Sequence, residues 1–170
     1  MIYLNIGSNI PSEDGGREAN ILKAINFLKK LKLNMIKISS FYETPSYPNN
    51  SYPKFINLCV KLESNLKPKN FLEKIKQIEI KLGRIRLKKN EPRTCDIDII
   101  DYMGEIIKHK DLVIPHPKMH LRNFVIYPLK EIEPNWVHPI FMKNIDSFFM
   151  KLSKNSHNEI TRLGKSDILN

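Results

Sequence analysis

Residues 54–63 alternate cleanly between two sets of side chains. One set, at every second position, is apolar and consists of Ile56, Leu58, Val60 and Leu62. Because successive side chains of a β-strand point to opposite faces, this pattern predicts a strand with one face against a core. The other face would carry Phe55, Asn57, Cys59 and Lys61. Asparagine is depleted in strands, so Asn57 already suggests a role other than packing.

The order of the predicted elements restricts the fold further. Apolar residues at helical or strand spacing predict strands over 2–7, 35–43, 54–63 and 96–102, and helices over 17–32 and 68–83. This β-α-β-β-α-β order predicts an α+β, ferredoxin-like core, with an antiparallel sheet and both helices on one face. A short return strand near 106–107 and a helix over 144–153 would follow in a C-terminal extension. We expect one domain over 1–155 and a loosely held polar tail over 156–170.

Composition limits the classes of partner. Among 170 residues, Lys and Arg number 28 and Asp and Glu 18, a net charge of +10 that favours anionic partners. Two cysteines, Cys59 and Cys95, provide neither a disulfide framework nor zinc spacing. No apolar run reaches transmembrane length and the first residues do not resemble a signal peptide, so we expect a cytoplasmic protein without membrane contact. No dimer-forming stripe is evident, and a monomer is expected.

A pair of carboxylates identifies the candidate site. Asp96 and Asp98 are two apart on a predicted strand, so they share a face with Cα atoms roughly 6.6 Å apart. Two Mg²⁺ ions about 3.5–4 Å apart, as in many phosphoryl-transfer sites, fit such a pair. Arg93 precedes the strand and offers a forked donor to phosphate oxygens. The segment taken alone fits two solvated aspartates at a strand end better than it fits a metal site, so the rest of the sequence has to decide.

Further motifs give the chain a resemblance to a known family. In order, they are Gly7-Ser8-Asn9, Ser40 to Pro45, Phe55-Ile56-Asn57, Ile78-Glu79, Gly83 to Arg86, Pro92-Arg93-Thr94, Asp96 to Ile100, Ile114 to Pro117, Arg122-Asn123-Phe124 and Pro128-Leu129. Their order and spacing resemble the 6-hydroxymethyl-7,8-dihydropterin pyrophosphokinases of folate biosynthesis. The resemblance extends from the first strand to about Pro134.

The resemblance implies an activity and a set of site residues. The family moves pyrophosphate from ATP to a pterin alcohol and releases AMP, with two Mg²⁺ ions on Asp96 and Asp98. The implied ATP-binding residues are Glu79, Arg84, Arg86, Arg93, Ile99, His116 and Arg122, of which Arg84 and Arg93 are also implied in catalysis together with the two aspartates. The implied pterin-binding residues are Thr44, Pro45, Phe55, Asn57 and Phe124. No residue is assigned as a general base.

The chain departs from the family pattern in three places. Asn90 and Glu91 stand where the family usually has an aromatic and a small residue, the 44–53 loop lacks its usual glycine, and Val113 replaces a hydroxyl residue. We expect these departures to alter loop closure and affinity rather than the reaction.

Three other functions fit part of the pattern. A nucleic-acid-binding module would use the exposed sheet face and the positive charge, but two aspartates on that face oppose phosphate. A two-metal nuclease would need more metal ligands than the sequence offers nearby. A catalytically degenerate pterin-binding scaffold would fit the altered loop, although both aspartates and Arg93 are present.

Overall fold

The computed structural model describes residues 1–13, 15–31, 33–84 and 91–165, which form a mixed structure of an antiparallel sheet and several helices. The strands are β1 (Ile2–Ser8), β2 (Asn34–Ile38), β3 (Phe41–Thr44), β4 (Phe55–Glu63), β5 (Asp96–Tyr102), β6 (Ile107–His109), β7 (Leu112–Ile114) and β8 (Thr161–Gly164). The helices are α1 (Arg17–Lys30), α2 (Pro68–Lys81), α3 (Asn123–Ile132), α4 (Ile145–Phe149) and α5 (Lys154–Asn158), and a short 3-10 helix spans Met119–Leu121.

The main sheet places β4 at its centre. The strand order is β5-β1-β4-β3-β8, with β2 also paired to β4, and every pair is antiparallel. β6 and β7 form a separate hairpin. The sequence prediction of an antiparallel sheet with helices is confirmed.

The first face of the sheet packs on α1 and α2. Helical spacing brings Ile21, Ile25 and Leu28 of α1 onto the sheet, and Phe71 and Ile75 of α2 lie in the same core. The alternate residues of β1 and β4 complete this core: Ile2, Leu4, Ile6, Ile56, Leu58, Val60 and Leu62. Burial of each such side chain contributes about 1.5–3 kcal/mol. Pro68 starts α2 and Gly83, at φ 78°, follows it, as the sequence predicts.

The second face is covered over only part of its area. Val125, Ile126 and Leu129 of α3 pack on Tyr3 and Cys59 of the sheet, and α4 and Trp136 extend this second core. A register shift between Tyr3 and Leu4, where β1 pairs with β5, turns Asp101 towards this core, and its carboxylate accepts a hydrogen bond from Trp136 at 2.8 Å. The part of the face nearer to the start of β5 carries the candidate site.

The predicted strand over 35–43 is wrong as one element. It divides into β2 and β3 at Ser39 and Ser40, because these residues make hydrogen bonds outside a regular ladder. The Ser39 hydroxyl accepts from the backbone of Cys59 at 2.9 Å, and the Ser40 backbone and hydroxyl both donate to Glu131 of α3. The alternation of side chains between two faces is therefore not continuous over 35–43.

The C-terminal segment also differs from the expectation. The predicted helix over 144–153 ends at Phe149, and a second short helix, α5, begins after Ser153, whose side chain caps it. Residues 161–164, expected within a loose polar tail, form β8 against β3, and Arg162 pairs with Glu131 at 3.2 Å. The side chains of β8 stay largely exposed, so its sequence is polar and shows no apolar alternation that would predict a strand. Among the described residues, no helix has the length and apolarity needed to cross a membrane.

Candidate active site

Predicted site residues lie on two neighbouring rows of the sheet, which cross β4, β1 and β5. Gly7 of β1 pairs with Asn57 on one side and with Asp96 on the other, and the next row joins Asn5 to Asp98. Directly opposed residues in a sheet share a face. The structure therefore brings the two aspartates and Asn57 to the same surface, as the alternation predicts.

Gly7 allows the close approach in this row. A Cβ atom at position 7 would lie 2.5 Å from Oδ1 of Asn57 and 3.5 Å from the Phe55 ring. The space above Gly7 is thus filled by the Asn57 side chain, which accepts a hydrogen bond from Asn5 at 3.2 Å. Sequence reasoning did not assign Asn5 a role, although an asparagine in a strand was the signal that identified Asn57.

Three arginines surround the two carboxylates. Arg93 contacts Oδ2 of Asp96 through its Nε at 2.7 Å, and Arg84 contacts Oδ1 of Asp96 at 2.7 Å. Arg122 lies 3.4 Å from Asp98. The aspartate side chains are 17% and 30% exposed, so each remains accessible from the open side of the sheet.

Glu79 links α2 to the start of β5. It is 3% exposed and accepts a hydrogen bond from the backbone of Ile97 at 2.8 Å, as well as one from Arg84. Helical position alone would make Glu79 a solvated residue; only the family resemblance singles it out. Its carboxylate holds Arg84 beside Asp96.

The surroundings of the site shift the pKa values of Asp98 and His116. Burial and the neighbouring Asp96 charge raise the pKa of Asp98, more than Arg122 and Arg93 lower it. Burial and Arg122 lower the pKa of His116 to about 4, which leaves its ring neutral at pH 7. The His116 ring nitrogen Nε2 lies 3.4 Å from Arg122. Within the described ranges, no three His, Cys, Asp or Glu side chains are grouped as a ready metal site.

Two aromatic rings flank the same surface. Phe55 lies under the guanidinium of Arg93, 4.9 Å from the ring centre, and Phe124 lies under that of Arg122 at 5.4 Å. Arginine planes pack well on ring faces, and a flat heteroaromatic ligand can use the same faces.

Polar atoms without partners accompany these rings. Nδ2 of Asn57 and Oγ1 of Thr44 are buried and have no hydrogen-bond partner within the described part of the chain. Thr44 pairs with Phe55 across β3 and β4, so its side chain lies on the site face. Buried polar groups are normally satisfied, so these atoms are suited to the edge of a polar ligand.

Asn9 connects the two loops that border the site. Its Oδ1 accepts from the Arg93 backbone at 2.7 Å, and its Nδ2 donates to Ser46 and to the carbonyl of Pro53. Asn9 is 1% exposed. The sequence places Asn9 in a matched motif but gives no sign of this contact, which joins residues 84 positions apart.

The side chains of some predicted residues do not lie at the site. Ile99 is 6% exposed in the core against α1 and α2, on the face opposite to the aspartates. Pro45 lies half-buried after β3, and Val113 is exposed on β7. Arg86 and Asn90 lie outside the described residues.

Comparison with known proteins places this site in a family. A model of the family described as 7,8-dihydro-6-hydroxymethylpterin-pyrophosphokinase (HPPK) matches residues 3–134. A 2-amino-4-hydroxy-6-hydroxymethyldihydropteridine pyrophosphokinase of Aquifex aeolicus is 42% identical over 147 residues, which are 86% of this chain and 89% of the relative. The Bacillus subtilis protein of the same name is 38% identical, over 78% of this chain and 77% of its own length.

Longer proteins contain a similar unit. The folic acid synthesis protein FOL1 of Dictyostelium discoideum is 43% identical over 82% of this chain, which spans 20% of FOL1. A crystal structure of Plasmodium falciparum HPPK-DHPS A437G/K540E with pterin and p-hydroxybenzoate has a similar fold, with a TM-score of 0.70 at 17% identity over 95% of this chain and 46% of that one. Given the family match and the identities of its relatives, the chain belongs to the 7,8-dihydro-6-hydroxymethylpterin-pyrophosphokinase family.

Proposed function

We propose that this protein transfers the pyrophosphoryl group of ATP to the hydroxymethyl group of 6-hydroxymethyl-7,8-dihydropterin. The substrate oxygen forms a bond to the β-phosphorus, the bond from that phosphorus to the AMP oxygen breaks, and the hydroxyl proton leaves to solvent or phosphate. The observation that carries the proposal is the row Asn57–Gly7–Asp96, which sets a polar edge for a ring beside the carboxylates.

Two Mg²⁺ ions fit the residues present. Mg²⁺ prefers oxygen ligands and is often held by one or two carboxylates together with substrate phosphates and water. Burial and the Asp96 charge raise the pKa of Asp98 despite Arg122 and Arg93, and a divalent cation bound to the pair would favour the charged form of both carboxylates. When bound, Mg²⁺ would neutralise charge on the phosphates during transfer.

The arginines would hold the triphosphate. Arg84, Arg93 and Arg122 already lie within 3.4 Å of the aspartates, so phosphates bound beside the carboxylates come within their reach. Guanidinium groups stay charged at any working pH and bind phosphate bidentately. Neutral His116 would orient Arg122 through its ring nitrogen. Glu79 would act on the nucleotide side through its hold on Arg84, and Arg86 and the backbone of Ile99 complete the proposed nucleotide contacts.

The pterin would lie between Phe55 and Phe124. Its ring would replace the arginine planes that now cover these side chains. Asn57 Nδ2 would donate to the ring edge, and the Thr44 hydroxyl would donate to it or accept from it, which satisfies both groups. Pro45 would border the ring. Since transfer depends on alignment and charge, we assign no general base.

The fold supports one further part of the sequence prediction. The strand order β5-β1-β4-β3, with α1 and α2 packed on one face, supports a ferredoxin-like core. A single domain over 1–155 and a monomeric state remain predictions. The nucleic-acid alternative is not favoured, because Asp96 and Asp98 occupy the face that would bind phosphates.

The test is AMP formation from ATP with and without the pterin alcohol. We expect pterin-dependent AMP that disappears when Mg²⁺ is chelated and falls at least 100-fold in Asp96→Asn and in Asp98→Asn. Asp111→Asn is the matched control, since Asp111 is 64% exposed on the β6–β7 turn, and it should retain full activity. Folded wild-type protein that binds pterin but forms no AMP would instead indicate a catalytically degenerate scaffold.

A further inference from the structure

A cavity lies on the C-terminal part of the molecule, outside the site described above. It measures about 520 Å³ and is lined by the 3-10 helix, the 141–143 turn and the segment joining α4 to α5. This volume lies in the range of small-molecule sites, which is about 300–1,000 Å³. Its apolar wall consists of Leu121, Phe141, Phe148 and Leu152.

The charged side chains that line this cavity are all positive. Lys143 and Lys151 line it, and no acidic side chain does so among the residues that the structure describes. Neither lysine has a carboxylate partner there, whereas nearby Lys130 is paired with Asp146. An apolar wall with two unneutralised ammonium groups is complementary to an apolar anion.

The apolar wall is held in place by the surrounding turn. His138 is buried, and its Nδ1 accepts hydrogen bonds from the backbone of Ile140 at 3.1 Å and of Phe141 at 3.4 Å. The ring of Phe141 packs on His138 and on His120, with ring centres 4.5 and 5.1 Å apart. Phe141 nevertheless stays 46% exposed and Leu121 67% exposed. An apolar ring that is already packed in place at an open cavity, as that of Phe141 is, loses little freedom when a ligand arrives, which favours binding.

The cavity adjoins the segment that carries Arg122 and Phe124. Leu121 directly precedes Arg122, and Asn123 donates a hydrogen bond to the carbonyl of Ser156, another lining residue, at 2.7 Å. We propose that this cavity binds a small organic anion with an aromatic body, and that its occupancy alters the 122–124 segment of the active site. The ligand's carboxylate lies between Lys143 and Lys151, and its ring lies against Phe141 and Phe148.

The experiment uses 2-naphthoate as the probe and backbone amide NMR as the readout, so it does not depend on catalysis. We expect saturable shifts at residues 120–121, 141–143 and 148–156, with smaller shifts at Asn123 and Phe124. The uncharged 2-naphthamide and the cationic 2-naphthylmethylamine should bind at least tenfold more weakly. Shifts of equal size and affinity with the amide would overturn the assignment of an anion.

Two charge-matched double variants locate the site. Lys143→Glu/Lys151→Glu should weaken 2-naphthoate binding at least tenfold, while Lys108→Glu/Lys110→Glu, at exposed positions of the β6–β7 hairpin, should leave its affinity unchanged. Equal weakening in both would show that only net charge matters and would overturn the site. Shifts that stop at the cavity and leave 122–124 unmoved would overturn the link to the active site.

Discussion

The side chain of Asn57 fills the space beside Gly7: a Cβ atom at position 7 would lie 2.5 Å from Oδ1 of Asn57. The two residues are paired in register across β1 and β4. The Asn57 amide can therefore keep its orientation only because Gly7 has no side chain.

Gly7→Ala should weaken pterin binding about tenfold, the value of one hydrogen bond of about 1.4 kcal/mol. The added methyl group displaces Asn57 and breaks its bond to Asn5, while the backbone conformation tolerates alanine. Fluorescence titration with the pterin measures the change. Gly16→Ala is the matched control, because nothing lies within 4 Å of a Cβ at position 16, and its pterin affinity should equal that of the wild type. Wild-type affinity in Gly7→Ala would contradict the role of Asn57.

This relationship shows what sequence reasoning can reach. Alternation predicts that Asp96 and Asp98 share a face, and it adds Asn57 to that face once the apolar sides of both strands are taken to pack on the helices. The residue of β1 that lies between Asn57 and Asp96 depends on the register of strand pairing, and the local sequence pattern does not give this register. Asn9 and Glu131 were missed for the same reason, since their partners lie 84 to 91 positions away. The break at Ser39 and Ser40 was missed because two serines continue the alternation formally while their hydrogen bonds leave the ladder.

Asn9→Ala should lower kcat/KM for both substrates by 10- to 100-fold. The change removes the acceptor of the Arg93 backbone and the donor to Pro53, so the 44–53 loop and the phosphate-binding arginine lose their common support. Loss of such buried polar contacts also costs about 1–3 kcal/mol of unfolding free energy. Steady-state kinetics and urea unfolding measure both effects.

Asn49→Ala provides the comparison for this variant. Asn49 lies in the 44–53 loop, but among the described residues its side chain accepts only from Ser51, at the exposed surface. It should reduce kcat/KM less than twofold. If both asparagine variants lose activity equally, the loop itself and not its connection to Arg93 is responsible.

Glu79→Gln should raise the nucleotide KM about tenfold and lower the melting temperature. The buried carboxylate accepts from Ile97 and Arg84, and the neutral amide leaves Arg84 without its charge partner on α2. Glu73→Gln, on the exposed side of the same helix, should change neither quantity. An unchanged KM in Glu79→Gln, with a lowered melting temperature, would reduce Glu79 to a structural residue.

Acidification should destabilise the fold through His138. Burial lowers the pKa of His138 from 6.5 to about 4, and its Nδ1 must stay unprotonated to accept from Ile140 and Phe141. The unfolded chain therefore binds one more proton between these values, so the contribution of His138 is complete above pH 6.5 and is lost as the pH falls towards 4. Over this window the loss reaches about 3 kcal/mol, at up to about 1.4 kcal/mol per pH unit.

The contribution of His138 is isolated by comparing slopes. The unfolding free energy of His138→Gln, measured in urea from pH 7 to pH 4, should fall less steeply than that of the wild type by up to one proton. His109→Gln removes an exposed histidine on the β6–β7 hairpin and should keep the wild-type slope. If His138→Gln and the wild type lose stability in parallel, the acid sensitivity lies in other groups and the neutral state of His138 contributes nothing to the fold.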